Sequence, residues 1–229
     1  MNSTSIHQPS YFPWQGLLNK INASDTFIIM NEVQFLDGGY QNRNIFLDKN
    51  LNVHMLTIPI EKKNYFDKTI KEMRIADKRW QKKHLRFLMQ NYNRHPFFEE
   101  ILEEIEPLFA KEYNFLADIL IDSMTLCCKL FEIETQIILQ SDLLYNKESK
   151  KNDLIFELLK CSDSKSYLSG VGAKGYQKDE EFEQQEIKLF YQDFKQMPYE
   201  QYKNSAFTEG LSSLDLLFNV GKNLTHNYI

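Results

Sequence analysis

The sequence predicts an α/β fold: a Rossmann-like, mostly parallel sheet flanked by helices, one domain over residues 1–229 with a helical layer or insertion at 78–131. Three observations carry this. Thr26-Phe27-Ile28-Ile29-Met30 is a continuous apolar run between helical segments, the pattern of a strand covered on both faces. Strand and helix patterns alternate at both ends of the chain. Between them, Trp80, His84, Leu88 and Tyr92 recur at i, i+4, i+8 and i+12, one face of a helix.

In chain order, residues 3–7 read as a short first strand ending at His7. Pro9 and Pro13 exclude helix interior, since each removes a donor and restricts its predecessor, so this segment is a loop. A helix starts near Trp14 and runs to about Asn22, with Ala23-Ser24-Asp25 closing it. The buried strand at Thr26–Met30 ends in Asn31, Glu32 and Gln34, and Gly38-Gly39 marks a turn. Arg43 to Asp48 and Asn52 to Ile60 form a hairpin turning at Asp48-Lys49-Asn50. Pro96 ends the helix carrying Trp80, Phe97 to Phe109 begins another that Pro107 disturbs, and Asn114 to Phe131 is a third, apolar enough for a core. Thr135 to Gln140 is a further buried strand and Asn152 to Lys160 a helix. Lys165 to Ser169 is a strand entering Gly170-Val171-Gly172-Ala173-Lys174-Gly175-Tyr176. Ile187 to Tyr191 is the last strand and residues 211–220 the last helix, with Ser213 and Asp215 expected to cap it.

The bulk composition narrows the class. Net charge is −5, which offers no global attraction for nucleic acid. Charge is segregated, however: residues 61–95 hold eleven Lys or Arg against four acids, and residues 99–122 eight acids against Lys111 alone. Two readings follow, neighbouring elements that attract one another or a basic rim that steers an anionic substrate. No run of about 18 apolar residues suggests a membrane span. The N-terminus lacks a secretory pattern, and Cys127, Cys128 and Cys161 match neither a CxxC pair nor a zinc site. They read as small buried residues in a reducing cytoplasm, with a catalytic thiol at Cys161 as the alternative. Neither a metal nor a cofactor is called for.

The densest chemical signal lies in the first 44 residues, where His7, Gln8, Tyr11 and Trp14 are followed by Asn31, Glu32, Gln34, Gln41, Asn42 and Arg43. Polar groups set among aromatics form either a costly buried network or a ligand site. Ligands of open α/β sheets lie at the carboxyl ends of strands, and three predicted strands end at His7-Gln8, Asn31-Glu32 and Ser169-Gly170. His7 is the candidate for acid–base work. Glu32 is the second catalytic candidate, as a base or amine-binding carboxylate, against a salt bridge to Arg43 or Lys20. Arg43, Lys20 and the turn with Gly170, Gly172 and Lys174 suit phosphate or carboxylate, the turn through its backbone N–H groups. Gln34, Asn42 and Glu32 would orient an acceptor, and Trp14 and Tyr11 would stack on a ring or close the pocket. His84 shares a face with Trp80 and reads as a packed core histidine, with a substrate contact as its alternative. The strand-end histidine also evokes nucleotidyltransferases with two histidines spaced HxGH, but Ser10 and Tyr11 stand where a second histidine is needed.

Assembled, these residues resemble the WbqC-like family over nearly the whole chain. The resemblance is carried by His7-Gln8-Pro9, Tyr11, Pro13-Trp14, Gly16, Lys20, Asp25, Val33-Gln34-Phe35, Asn42-Arg43 and Trp80 with Lys83-His84. It continues in Tyr167-Leu168-Ser169-Gly170, Gly172-Ala173, Tyr176, Ser213, Asp215, Asn219 and Gly221. At Asn31-Glu32 the chain departs from the family's usual pair of aspartates, and Asn31 cannot act as a base. The resemblance implies a link to bacterial surface-polysaccharide gene clusters and a cytoplasmic transferase that modifies a nucleotide-linked sugar. N-acyl or aminoacyl transfer to an amino sugar is the specific reaction it suggests. A non-catalytic sugar- or nucleotide-binding accessory protein and a nucleotidyltransferase-like enzyme are the competing readings.

Overall fold

The computed structural model describes residues 2–175 and 177–229. Strands β1 (Ser3–His7), β2 (Thr26–Ile29), β5 (Gln136–Leu139), β6 (Ser166–Ser169) and β7 (Lys188–Tyr191) form one sheet in the order β5-β2-β1-β6-β7. Every pairing in it is parallel. Strands β3 (Arg43–Leu47) and β4 (Val53–Thr57) make the expected antiparallel hairpin outside that sheet. The chain fills one side of β1 with β2 and β5, then crosses to the other side with β6 and β7. The connections therefore reverse direction between β1 and β6, which opens a crevice beyond the carboxyl ends of those two strands.

Alternation of side chains along the inner strands splits the apolar residues between two layers. Phe27 and Ile29 join the larger core with helices α2 (Trp80–Asn91), α3 (Phe98–Ala110), α4 (Leu116–Leu130) and α7 (Ser213–Val220). Ile6 and Ile28 face a smaller core with Leu154, Leu158 and Leu159 of α5 (Lys151–Cys161) and Phe182 of α6 (Asp179–Gln184). The helical segment thus packs into the core that covers one sheet face. Helix α1 (Gln15–Asn22) connects β1 to β2. Among the described residues no helix is long and apolar enough to cross a membrane.

Several expectations need correction. Strand β5 stands at a sheet edge, so Gln136 is exposed and Ile137, Ile138 and Leu139 are half-buried. Helix α3 runs through Pro107 to Ala110, its last turn accommodating the ring. The cap of α7 is Ser212, whose hydroxyl accepts from the Leu214 N–H, and neither Ser213 nor Asp215 caps it. Asp215 is buried, 1% exposed, and accepts hydrogen bonds from Tyr92 Oη at 3.0 Å and Tyr199 Oη at 2.7 Å. Burial pushes its carboxyl up to about 6 against the lowering effect of those donors. Cys161 is exposed, whereas Cys127 and Cys128 are buried thiols pushed up to about 12 by desolvation. Of the two charge blocks, Lys78 pairs with Glu112, while Glu104 of α3 pairs with Lys129 and Lys222.

The loop after β1 is held in a strained form. Phe12 has φ of 40°, a left-handed conformation that costs an ordinary residue roughly 1–3 kcal/mol. Long-range hydrogen bonds hold it there: Asn44 Nδ2 donates to the carbonyls of Tyr11 and Phe12, and Ser212 Oγ donates to Phe12 O at 3.0 Å. This sets the direction in which the chain enters α1 and where Trp14 stands.

Candidate functional site

The crevice between β1 and β6 is a cavity of about 1220 Å³. The register places Ser5 opposite Leu168, so two residues further on His7 lies level with Gly170, at the mouth. The backbone of His7 is fixed by β2, since its carbonyl accepts from Met30 N at 2.8 Å. Its Nδ1 is 2.8 Å from the carbonyl of Gln8. A carbonyl only accepts, so Nδ1 carries the proton and Nε2 keeps a free lone pair. The ring is exposed at the mouth of the cavity, and desolvation by the protein around it acts on it. That desolvation lowers its pKa to about 4, the nearby Lys20 cation acts in the same direction, and the bond to Gln8 opposes them. His7 is therefore neutral at pH 7.

Lys20 lies on the same wall. Its ammonium is buried, 3% exposed, and donates to the carbonyl of Ile6 at 2.8 Å. Desolvation lowers it to about 8, which still leaves it mostly charged at pH 7. Among the described residues no carboxylate pairs with it. Buried charges are ordinarily paired, so this cation has room for an anion that the protein itself does not supply.

The opposite wall comes from the turn after β6 and from the start of α5. Gly170 and Gly172 line the cavity with ordinary negative-side backbone, and a Cβ at either would meet nothing within 4 Å. The packing of the fold places no steric demand for glycine there, and the bare backbone is open to the cavity. Ser169 lies beneath, its hydroxyl donating to Gln177 Oε1 at 2.8 Å. Lys150 and Lys151 at the N-terminus of α5 reach the same space, where the helix dipole adds positive potential. Lys178, just before α6, pairs with Glu181 of that helix at 2.9 Å, and Asp153 of α5 also lines this side.

A second cavity of about 520 Å³ meets the first at His7, Gln8 and Leu36. Its walls include Pro9, Trp14, Leu17, Tyr40 and Ile45, and no carboxylate, lysine or arginine lines it. Trp14 lies flat against Gly16, where a Cβ would sit 2.1 Å from the indole, and meets Phe194 edge-on at 5.8 Å.

The other sequence-predicted residues go elsewhere. Tyr11 and His84 are buried partners, Oη to Nδ1 3.1 Å, packed against Trp80. Asn42 donates to Ile58 O at 2.8 Å, Asn31 to Ser141 Oγ at 3.0 Å, and Gln34 to Phe66 O at 2.7 Å. Arg43 pairs with Asp37 at 3.2 Å and lines neither cavity. Glu32 is paired with Lys71 at 3.5 Å and with Lys147, and accepts from Tyr145 Oη at 3.0 Å, rather than meeting Arg43 or Lys20. Partial desolvation raises its carboxyl, but those hydrogen bonds and the two cations outweigh it and hold it below the usual range. Lys174 turns toward the Tyr191 ring, 5.2 Å from its centre. Tyr176 lies outside the described residues. Gln41 does reach the site: its Oε1 accepts from Leu36 N at 3.3 Å and its Nε2 donates to Gln8 Oε1. No residue of the basic 61–95 stretch lines either cavity.

Lys150, Lys151, Lys178, Leu36 and Tyr40 were not legible as site residues. The paired lysines at 150–151 precede a predicted helix, which is an available signal for an anion-facing N-terminus. Which cavity they face depends on strand order, and a single sequence does not carry that.

Fold and geometry together define a Rossmann-like α/β protein with a crevice, lined by four lysines and two carboxylates, at the point where strand order reverses. The model of the WbqC-like protein family matches residues 8–227, and the chain belongs to that family. It is similar to the uncharacterized protein Rv1507c of Mycobacterium tuberculosis, 29% identical over 224 residues that cover 96% of this chain and 95% of the relative. No solved structure matches the chain.

Proposed function

We propose that this protein is a cytoplasmic transferase that modifies a nucleotide-linked sugar for a bacterial surface polysaccharide, with N-acyl or aminoacyl transfer to an amino sugar as its reaction. One observation carries the anionic half of this reading: the buried Lys20 ammonium, without a carboxylate, beside the neutral ring of His7. A diphosphate placed there would be bracketed by Lys20, by Lys150 and Lys151 at the start of α5, and by the backbone of Gly170 and Gly172.

His7 supplies the proton acceptor. The sugar amine nitrogen would form the new bond to an activated acyl carbonyl, the bond from that carbonyl to its leaving group would break, and the amine proton would pass to Nε2. A ring near pKa 4 is a weak base. An anion bound beside Lys20 offsets that cation's effect on His7 and moves the ring upward, while the larger lowering by desolvation stays. In this reading Glu32 braces the neighbouring loop through Lys147 and Tyr145, and Gln8 and Gln41 orient the acceptor.

The test is turnover. Wild-type protein with an amino-sugar nucleotide and an activated acyl or aminoacyl donor should yield a product heavier by the acyl group, and His7→Ala should not. A non-catalytic binding role draws on the same crevice, and the low His7 pKa favours it. Tight binding of a nucleotide sugar without turnover of any donor would select that role.

A further inference from the structure

We propose that the second cavity is a separate subsite that seats a neutral sugar ring, so that His7 stands between the ring and the anionic crevice. The proposal deepens the nucleotide-sugar reading and rests on it for its chemical sense.

The geometry argues this in three steps. The cavity holds no charged side chain, so its ligand is neutral there, unlike whatever meets Lys20 next door. Two large aromatics stand open together in the walls of this one cavity, Trp14 41% exposed and Tyr40 57% exposed. Aromatic faces attract the apolar C–H face of a pyranose, and such a ring also needs hydrogen-bonding groups at its rim. The third step supplies these. Gln41 Oε1 is committed to Leu36 N, so the amide that Gln41 presents to Gln8 is its NH₂, and Gln8 answers with its oxygen. The Gln8 NH₂ is then left without a partner among the described residues, at the junction of the two cavities and beside His7.

An acyl chain would leave that amide idle. A nucleobase would put the unreactive end of the ligand against His7, whereas the larger cavity has the volume for a nucleoside. The diphosphate therefore binds by Lys20 and the sugar lies past His7, on Trp14.

The experiment uses the full chain and measures affinity for UDP, dTDP and GDP and for their N-acetylhexosamine derivatives. Variants are Trp14→Ala, Tyr40→Ala and Lys20→Met, each checked for a native thermal melt. Tyr40 is exposed, so its removal keeps the test alive if Trp14→Ala does not fold. In wild type one nucleotide sugar should bind more tightly than its parent diphosphate. Tyr40→Ala and Trp14→Ala should erase about tenfold of that difference while leaving the diphosphate affinity alone. Saturation of aromatic protons should transfer to the sugar protons in wild type, and that transfer should be lost in Trp14→Ala and Tyr40→Ala. If both aromatic variants keep the full difference, or keep the saturation transfer to the sugar protons, the subsite assignment is overturned and the anionic crevice stands. If Lys20→Met leaves diphosphate binding unchanged, the anionic reading fails instead. Free N-acetylglucosamine that still takes saturation from Trp14 would then keep the subsite, and its absence would remove it.

Discussion

Replacing Lys20 with methionine should make the protein more stable while removing its affinity for phosphate. The Lys20 ammonium lies 3% exposed and is lowered from 10.5 to about 8 by desolvation. That difference corresponds to about 3 kcal/mol spent holding the charge in place at pH 7. Methionine has similar length and no charge, and it gives up one hydrogen bond, to Ile6 O, worth about 1 kcal/mol. The variant should gain about 2 kcal/mol, a rise in Tm of roughly 4–8 °C for a chain of this size. The effect has a pH signature. Between about 8 and 10.5 the unfolded chain still holds a proton that the folded chain has released, so wild-type stability climbs with pH across that window. Lys20→Met should lack that climb, and the two stability curves should converge above pH 10. Thermal melts from pH 6 to 10.5, with and without inorganic phosphate, measure all of this. A variant less stable than wild type at pH 7, with unchanged phosphate stabilisation, would show that Lys20 is a structural residue with a partner of its own.

Other perturbations separate scaffold from site. Gly16→Ala would place a methyl 2.1 Å from the Trp14 indole, so the ring must move. It should cost about 1–3 kcal/mol in denaturant melts and alter Trp14 fluorescence. Tyr11→Phe should cost about 1–2 kcal/mol by removing the partner of His84 Nδ1, and leave nucleotide affinity unchanged by calorimetry. His84 is lowered to about 4 by burial, so the unfolded chain protonates first and stability falls as pH drops from 6.5 toward 4. His84→Gln should make that fall shallower, with His7 and His95, also lowered to about 4, supplying the rest. Asp215→Leu should lower stability by about 3 kcal/mol, because Tyr92 and Tyr199 each lose a buried acceptor.

Much of this was legible in the sequence, for reasons that differ by residue. The sheet was readable because Thr26–Met30 and the strand–helix rhythm report burial directly. The placement of His7, Gln8 and Gly170 at the carboxyl ends of β1 and β6 was readable because the strands themselves were. The amides and the aromatic hydroxyl were harder. Asn42 and Tyr11 have the chemistry of ligand-binding groups, but the first is satisfied by Ile58 and the second by His84, partners far along the chain. A sequence shows a polar group without showing whether a distant acceptor will claim it. Arg43 has a nearer partner, since Asp37 sits six residues away across a turn and captures the guanidinium. Asp215 looked like a helix cap until Tyr92 and Tyr199, from separate elements, enclosed it.

The measurement that bears most directly on the crevice is the titration of His7 by ¹⁵N-edited NMR, in the free protein and with a saturating nucleoside diphosphate. The free ring should be the neutral tautomer protonated at Nδ1, with a pKa near 4. Diphosphate should move that value upward, and should fail to do so in Lys20→Met. A His7 that titrates near 6.5 and ignores the diphosphate would contradict both the coupling to Lys20 and the anionic site built on it.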